Sequence, residues 1–402
     1  MYRSNVRPDD VGEGWVVHFD ATELTESERA LQRDVRAFLS AELGGTAVAP
    51  GLGFNSAKDP EFSKRLAARG WVGMTLPSAY GGHDRSAVDR FVVVEELLRS
   101  GAPIGHHWVA DRQIGPLIAR FGTEAQKRRF LPGICRGEFS FAIGMSEPDS
   151  GSDLASLRTR AERIDGGWSI SGTKVWTTGA HVHDWIVVLC RTTPSDEVSD
   201  RRTGLSQLIV DLTASGVQVR PIRFIDGTAD FCEVVFDDAF VPDDLVLGEL
   251  GAGWTQNASE LVYERGGPDR FLSTYLVVEE FLRGCDENNS SEDVLEMLGN
   301  AVAHYWVLHA LSLSVARSID EGRSPGAEAA LVKGMGTRFE QDVVNAMLHL
   351  IDFEPDLAAP GLFERLLITA TLTAPSFTIR GGTNEILRSI VAKSLAPRGE
   401  AR

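Results

Sequence analysis

Hydrophobic positions follow a mostly helical pattern from Glu23 to about Gly137, broken by turn signals at Gly51-Leu-Gly53, Pro77, Gly81-Gly82 and Gly101-Ala-Pro103. Phe91, Val94, Leu97 and Leu98 recur at helical spacing, with Glu95, Glu96 and Arg99 on the other side, which predicts an amphipathic helix. Gly122-Thr123-Glu124 announces another, because the Thr123 hydroxyl can accept from an unpaired amide of a first helical turn. At about Glu138 the texture changes to short β-like runs at 139–144, 168–171, 184–191, 206–212, 217–222 and 232–236. Asp165-Gly166-Gly167, Ser215-Gly216 and Asp226-Gly227 separate some of them and tolerate positive φ. Helical spacing returns after Trp254, where Val294, Met297, Leu298, Ala301, Tyr305, Leu308, Leu311 and Val315 trace one apolar stripe suited to a bundle core.

The expected fold class is therefore mostly α with a central β domain. It comprises an N-terminal helical domain over 20–137, a small antiparallel β-barrel-like domain over 138–248 and a C-terminal four-helix bundle over 249–398. Composition agrees: 402 residues, 43% hydrophobic and 24% charged, suit a globular chain with two or three packed cores. A formal charge of -17 repels polyanions, and Lys127-Arg128-Arg129 and Arg201-Arg202 read as solvated clusters, so no nucleic-acid partner is expected. Cys135, Cys190, Cys232 and Cys285 lie far apart without a CxxC pair, and His181-x-His183 supplies only two candidate ligands, read as surface histidines. No metal site is expected. His106 and His107 are assigned no role. No run approaches the length needed to cross a bilayer, and residues 1–20 lack the apolar core of a signal peptide, so a cytoplasmic protein without membrane insertion is expected.

Four ordered segments resemble the acyl-CoA dehydrogenase family and together span the chain from about Glu23 to Leu395. They are Leu76-Pro-Ser-Ala-Tyr-Gly-Gly82, Phe121-Gly-Thr-Glu-Ala-Gln-Lys-Arg-Arg-Phe-Leu-Pro132, the pair Met145-Ser-Glu-Pro-Asp-Ser-Gly-Ser-Asp153 and Gly172-Thr-Lys-Val-Trp-Thr-Thr-Gly179, and Gly381-Gly-Thr-Asn-Glu-Ile386. The resemblance implies an FAD-dependent α,β-dehydrogenase of an acyl-CoA thioester, working in fatty-acid or steroid side-chain β-oxidation. By the same resemblance Met145 and Ser146 would meet the flavin's polar edge, Ser152 the pyrophosphate, Trp176 and Thr178 the isoalloxazine ring, and Thr383 and Glu385 the cofactor further along. The residues themselves suit this: a Gly/Ser-rich turn presents amides and hydroxyls to an anion, and Trp176 and Thr178, two apart on a strand, point to one face.

Two departures from the family pattern carry consequences. The residue directly before the C-terminal Gly-Thr, often the α-proton base, falls in Gly381-Gly-Thr383, where position 381 has no side chain. A subset of the family carries the base in a Glu-Arg pair on the first helix of the C-terminal bundle, and Leu261-Val-Tyr-Glu-Arg265 resembles it. Glu264 is accordingly assigned as the base, Arg265 as a substrate-positioning residue, and the Gly381 amide as a donor to the thioester oxygen. The Arg-x-x-Phe-Gly and Gly-Gly-x-Gly segments that close the adenine end in other members are missing around 281–288 and 348–360. That implies a homo-oligomer with altered contacts or an α2β2 heterotetramer with a homologous subunit; the family resemblance implies an electron-transferring flavoprotein as acceptor. Two alternatives stand beside this reading: a non-catalytic partner subunit of such a heterotetramer, and a flavin monooxygenase or oxidase on the same scaffold.

Overall fold

The computed structural model describes residues 17–44, 58–257, 265–285, 291–351 and 361–395. The N-terminal helices are α1 (Glu26–Leu43), α2 (Pro60–Ala68), α3 (Ala87–Arg99), α4 (Gly115–Phe121) and α5 (Glu124–Cys135). Their starts are written locally. Thr25 and Glu28 form a capping box on α1, Asp59 caps α2, Ser86 caps α3, and Thr123 with Gln126 boxes α5 as expected, each satisfying amides that have no intrahelical partner. Helix α4 continues from a π-helical turn, Ala110–Ile114.

Phe91, Val94, Leu97 and Leu98 are buried on α3, but Glu95 and Glu96 are buried too, contrary to the expected polar face. Glu96 accepts two bonds from the Arg36 guanidinium at 2.8 Å and one from Gln32 on α1, and Glu95 Oε1 lies 2.7 Å from His309 Nδ1. The helix is thus packed on several sides, and partners on other elements make its buried carboxylates tolerable.

The central strands are β1 (Phe141–Gly144), β2 (Arg160–Ile164), β3 (Gly167–Thr178), β4 (Trp185–Arg191), β5 (Leu205–Asp211), β6 (Val217–Ile222), β7 (Phe231–Pro242) and β8 (Val246–Leu247). They form one sheet in the order β6-β7-β3-β2-β4-β5-β8, with β1 beside β4. The sheet is largely antiparallel, but β4 runs parallel to both β1 and β2, and the path stays open instead of closing as a barrel. Strand β2 is absent from the hydrophobic pattern because only Ala161 of its five residues is buried.

The C-terminal helices are α6 (Tyr275–Gly284), α7 (Glu292–Asp320), α8 (Gly326–Leu350), α9 (Leu362–Phe377) and α10 (Asn384–Leu395). Helix α8 packs on α7, α9 and α10, and α6 packs on α9. The predicted stripe buries Met297, Ala301, Leu308 and Val315. One large cluster of buried residues from Leu31 to Ala370 crosses all three regions, with smaller separate clusters around Leu157 and Val315. Among the described residues no helix is long and apolar enough to cross a membrane.

Candidate functional site

The chain leaves β1 as Met145-Ser146-Glu147, and β3 grips this exit from the side. Lys174 Nζ donates to Met145 O at 2.9 Å and to Glu147 Oε1 at 2.8 Å, while the Val175 amide donates to Ser146 O at 2.9 Å. Glu147 also accepts from the amides of Arg158 (2.6 Å) and Thr159 (2.9 Å). Burial works to raise the Glu147 pKa, but the Lys174 charge and these donors outweigh it and hold the carboxyl below its ordinary range. Met145 and Ser146 are thereby presented half-buried on a fixed backbone.

Past Lys174 the register of β3 against β7 slips, and Trp176 adopts φ 60°. A bulky side chain in the left-handed region costs on the order of 1–2 kcal/mol, which is the kind of strain that collects at ligand sites. The bulge leaves the Trp176 ring 55% exposed, its edge meeting Phe231 with centroids 6.5 Å apart. Thr178 pairs with Phe231 and is half-buried, so the expected alternation survives the bulge: Trp176 out, Thr177 in, Thr178 partly out. Thr177 Oγ1 is buried without a hydrogen-bond partner. Ser152 lies exposed on the loop after Glu147, whose base is tied by a Glu147–Ser150 bridge and a Ser150 Oγ bond to Asp153 O at 2.9 Å.

A second group forms where α9 turns into α10. Gly381 and Gly382 have φ 66° and 90°, so consecutive left-handed residues make the turn and a carboxylate residue at 381 would be strained. This gives a physical reason for the missing side chain there. Arg265 Nε donates to Gly381 O at 3.2 Å. Glu264 lies outside the described residues, though its covalent neighbour Arg265 is thus bonded to the Gly381 turn. Thr383 Oγ1 accepts from the Ile386 amide at 3.3 Å and so caps α10, while Glu385 is exposed in the first turn, its carboxyl lowered by its own backbone amide and then by Thr383.

The sequence pattern gives no sign of a buried ion network beneath this turn. Arg112, from the π-helical turn, donates to Asp269 Oδ2 at 2.7 Å, and Arg270 Nε lies 3.2 Å from the same oxygen. Arg380, directly before Gly381, donates to Ser273 Oγ (2.7 Å), Glu340 Oε2 (3.1 Å) and Asp269 O (3.2 Å). Apart from the adjacent Asp269–Arg270 pair, these bonds join segments far apart in sequence, so no local motif could announce the network. A cavity of about 470 Å³, within the usual range for ligand sites, lies beside Gly266–Pro268 and is lined also by Arg90, Arg112, Gln113, Ser312 and Val315.

The histidines correct one expectation. His181 is exposed, but His183 is buried, as are His106 and His107. Burial pushes His107 down to about 4 and His183 to about 3. Both stay neutral in the fold yet take up a proton near pH 6.5 when unfolded, so their stabilisation is complete above that pH and is lost as pH falls toward the folded values. The expected slope is about 1.4 kcal/mol per pH unit for each histidine. Urea melts between pH 7 and 5 check it, and His183→Gln should flatten the dependence.

The chain matches the acyl-CoA dehydrogenase N-terminal domain over residues 25–138, the middle domain over 142–239 and the C-terminal domain over 289–396. It is 33% identical over 335 residues to acyl-CoA dehydrogenase FadE34 of Mycobacterium tuberculosis, which covers 82% of this chain but only 45% of that longer protein. Acyl-CoA dehydrogenase IpdE1 of the same organism is 35% identical over 374 residues, covering 89% of this chain and 94% of that one. Among solved structures the fold is similar to the Tcur3481-Tcur3483 steroid ACAD, with a TM-score of 0.81, 28% identity, and coverage of 93% of this chain and 98% of that one. With three consecutive domains matched over more than half its length, the chain belongs to the acyl-CoA dehydrogenase family.

Proposed function

We propose that this acyl-CoA dehydrogenase binds FAD and oxidises a bulky acyl-CoA thioester to the 2-enoyl-CoA, with Glu264 as the α-proton base. The observation that carries the cofactor assignment is Trp176, a large aromatic held at φ 60° and 55% exposed beside the braced Met145–Ser146 segment. Backbone strain of this kind collects at ligand sites, where binding offsets its cost. The residues fit the group: an exposed aromatic shelf at Trp176 with the half-buried Thr178 hydroxyl on the same side of the strand, and a Gly/Ser turn suited to a pyrophosphate. Bound FAD would supply the acceptor for the hydride leaving the β-carbon.

The chain's own residues divide the remaining work. Met145, Ser146, Trp176 and Thr178 hold the flavin ring, Ser152 meets the pyrophosphate, and Thr383 and Glu385 contact the cofactor further along. Glu264 takes the α-proton, which is too weakly acidic to leave without a positioned carboxylate. The Gly381 N–H donates to the thioester oxygen as negative charge develops there, and Arg265 steadies that turn and the pantetheine arm.

The name of the steroid ACAD neighbour and the cavity beside Gly266 support a steroid-derived acyl group as the substrate class. Helix α7 supports an oligomer, because the face opposite its buried stripe exposes Leu295, Val302, Val307 and Trp306, the last by 79%. That neighbour's two-part name favours a homologous second subunit over a homo-oligomer, and membership of the family supports an electron-transferring flavoprotein as acceptor.

Trp176→Gly should remove the backbone strain and the ring together. Flavin affinity, followed by fluorescence titration, is expected to fall at least tenfold, while the flavin-free protein melts no lower than wild type. The cofactor assignment itself is tested by the visible spectrum of the chain purified alone and with a co-expressed homologous subunit. Stoichiometric flavin alone indicates a self-sufficient site, and flavin only with the partner indicates a shared one. No flavin in either preparation overturns the assignment.

A further inference from the structure

We infer that Lys333 is a positioning residue for the reaction, fixing the Gly381–Gly382 turn so that the 381 amide points where the thioester oxygen develops charge. The inference rests on the reading of Gly381 as the oxyanion donor. Lys333 sits on α8 with no exposed surface. Its ammonium donates to Gly382 O at 2.8 Å, Asn384 Oδ1 at 2.8 Å and Thr378 O at 3.2 Å. An ammonium has three protons to donate, and a buried one is tolerated only when they are used. Among the described residues its three acceptors belong to one short segment, from the C-cap of α9 to the first residue of α10. One cation therefore staples both ends of a turn that contains two consecutive left-handed glycines, the residues with the most conformational freedom to lose.

The staple is itself oriented. Thr337 Oγ1 donates to Lys333 O at 2.8 Å and lies 3.3 Å from the same Asn384 oxygen. On either side of the 381 amide the chain is held by other cations: the Arg380 side chain is anchored on Glu340 and Ser273, and Arg265 binds Gly381 O. Lys333 is the group that fixes the far side of the turn, at Gly382. Without it the amide would keep its chemistry but lose its aim, and a displacement of about 1 Å can cost about 100-fold in rate.

Lys333→Met tests this with the flavin-loaded enzyme and the saturated acyl-CoA that wild type oxidises fastest. The expected result is a kcat about 100-fold lower with KM changed less than about threefold, unchanged flavin stoichiometry, and faster hydrogen exchange at amides 379–383. Lys333→Ala should behave alike and recover kcat on addition of n-propylammonium, which serves also if the Met variant fails to fold. A kcat within threefold of wild type, loss of activity only in proportion to lost flavin, or no amine rescue of a folded Ala variant overturns the inference. Wild type that oxidises no thioester defeats the proposed function instead, and exchange at 379–383 then decides the staple by itself: unchanged protection in Lys333→Met overturns it.

Discussion

Glu264→Gln is expected to lower the rate of flavin reduction by an acyl-CoA thioester by roughly 10²- to 10⁴-fold, the usual worth of a positioned general base. Glutamine keeps the shape and polarity of the side chain and removes only its capacity to take a proton. Flavin content and thermal stability should therefore be unchanged. Stopped-flow absorbance under anaerobic conditions reads the rate directly. Returning a carboxylate to the more common family position, as Gly381→Glu in the Glu264→Gln background, should not restore activity. At φ 66° a side chain at 381 strains the turn that presents the amide. Unchanged flavin reduction in Glu264→Gln would remove this residue from the mechanism.

Lys174→Met is expected to be the most damaging change in the β region. Lys174 and Glu147 are both buried, and removing one partner of such a pair typically costs about 3–5 kcal/mol because the other charge stays behind. The loss also frees the Met145 carbonyl, so the exit of β1 loosens at the segment proposed to hold the flavin ring. Urea unfolding should show the destabilisation, and the purified variant should lose most of its flavin. The double variant Lys174→Met/Glu147→Leu separates the two effects. Replacing both charges by apolar groups should recover much of the stability, whereas flavin retention should stay low, since neither side chain can then hold the backbone of 145–147. Full flavin occupancy in the single variant would show that the pair is structural only.

How much of this was legible in the sequence depended on whether the partners were local. The cap at Thr123 and the Met297–Val315 stripe are bonds and contacts within a few residues, and the sequence pattern shows them, whereas the equally local caps at Thr25 and Ser86 were not read from it. The helical, β, helical order followed from the same periodicities. Glu95 and Glu96 looked like a solvent face because their partners, His309 and Arg36, lie on other helices. Strand β2 was invisible because an edge of the pattern, Ala161, is all that it buries. The parallel contacts of β4 depend on topology that no turn motif encodes. At the candidate site the segments holding Ser146, Ser152, Trp176 and Gly381 stood out by resemblance. The reasons behind them did not: the left-handed backbone of Trp176, the Lys174 brace, the Arg380–Glu340 anchor and the Lys333 staple all arise from tertiary packing.

The central claim is that this chain, as the holoenzyme, removes one hydrogen from the α-carbon and one from the β-carbon of an acyl-CoA. Its most direct test is anaerobic incubation of the flavin-loaded protein with saturated acyl-CoA thioesters, including a steroid-derived one, followed by mass spectrometry of the thioester. Bleaching of the flavin, with a product lighter by two hydrogens and carrying the 2-enoyl double bond, is the result predicted here. A fully flavinated enzyme that leaves every thioester unchanged, or that modifies one only when oxygen is admitted, would contradict it.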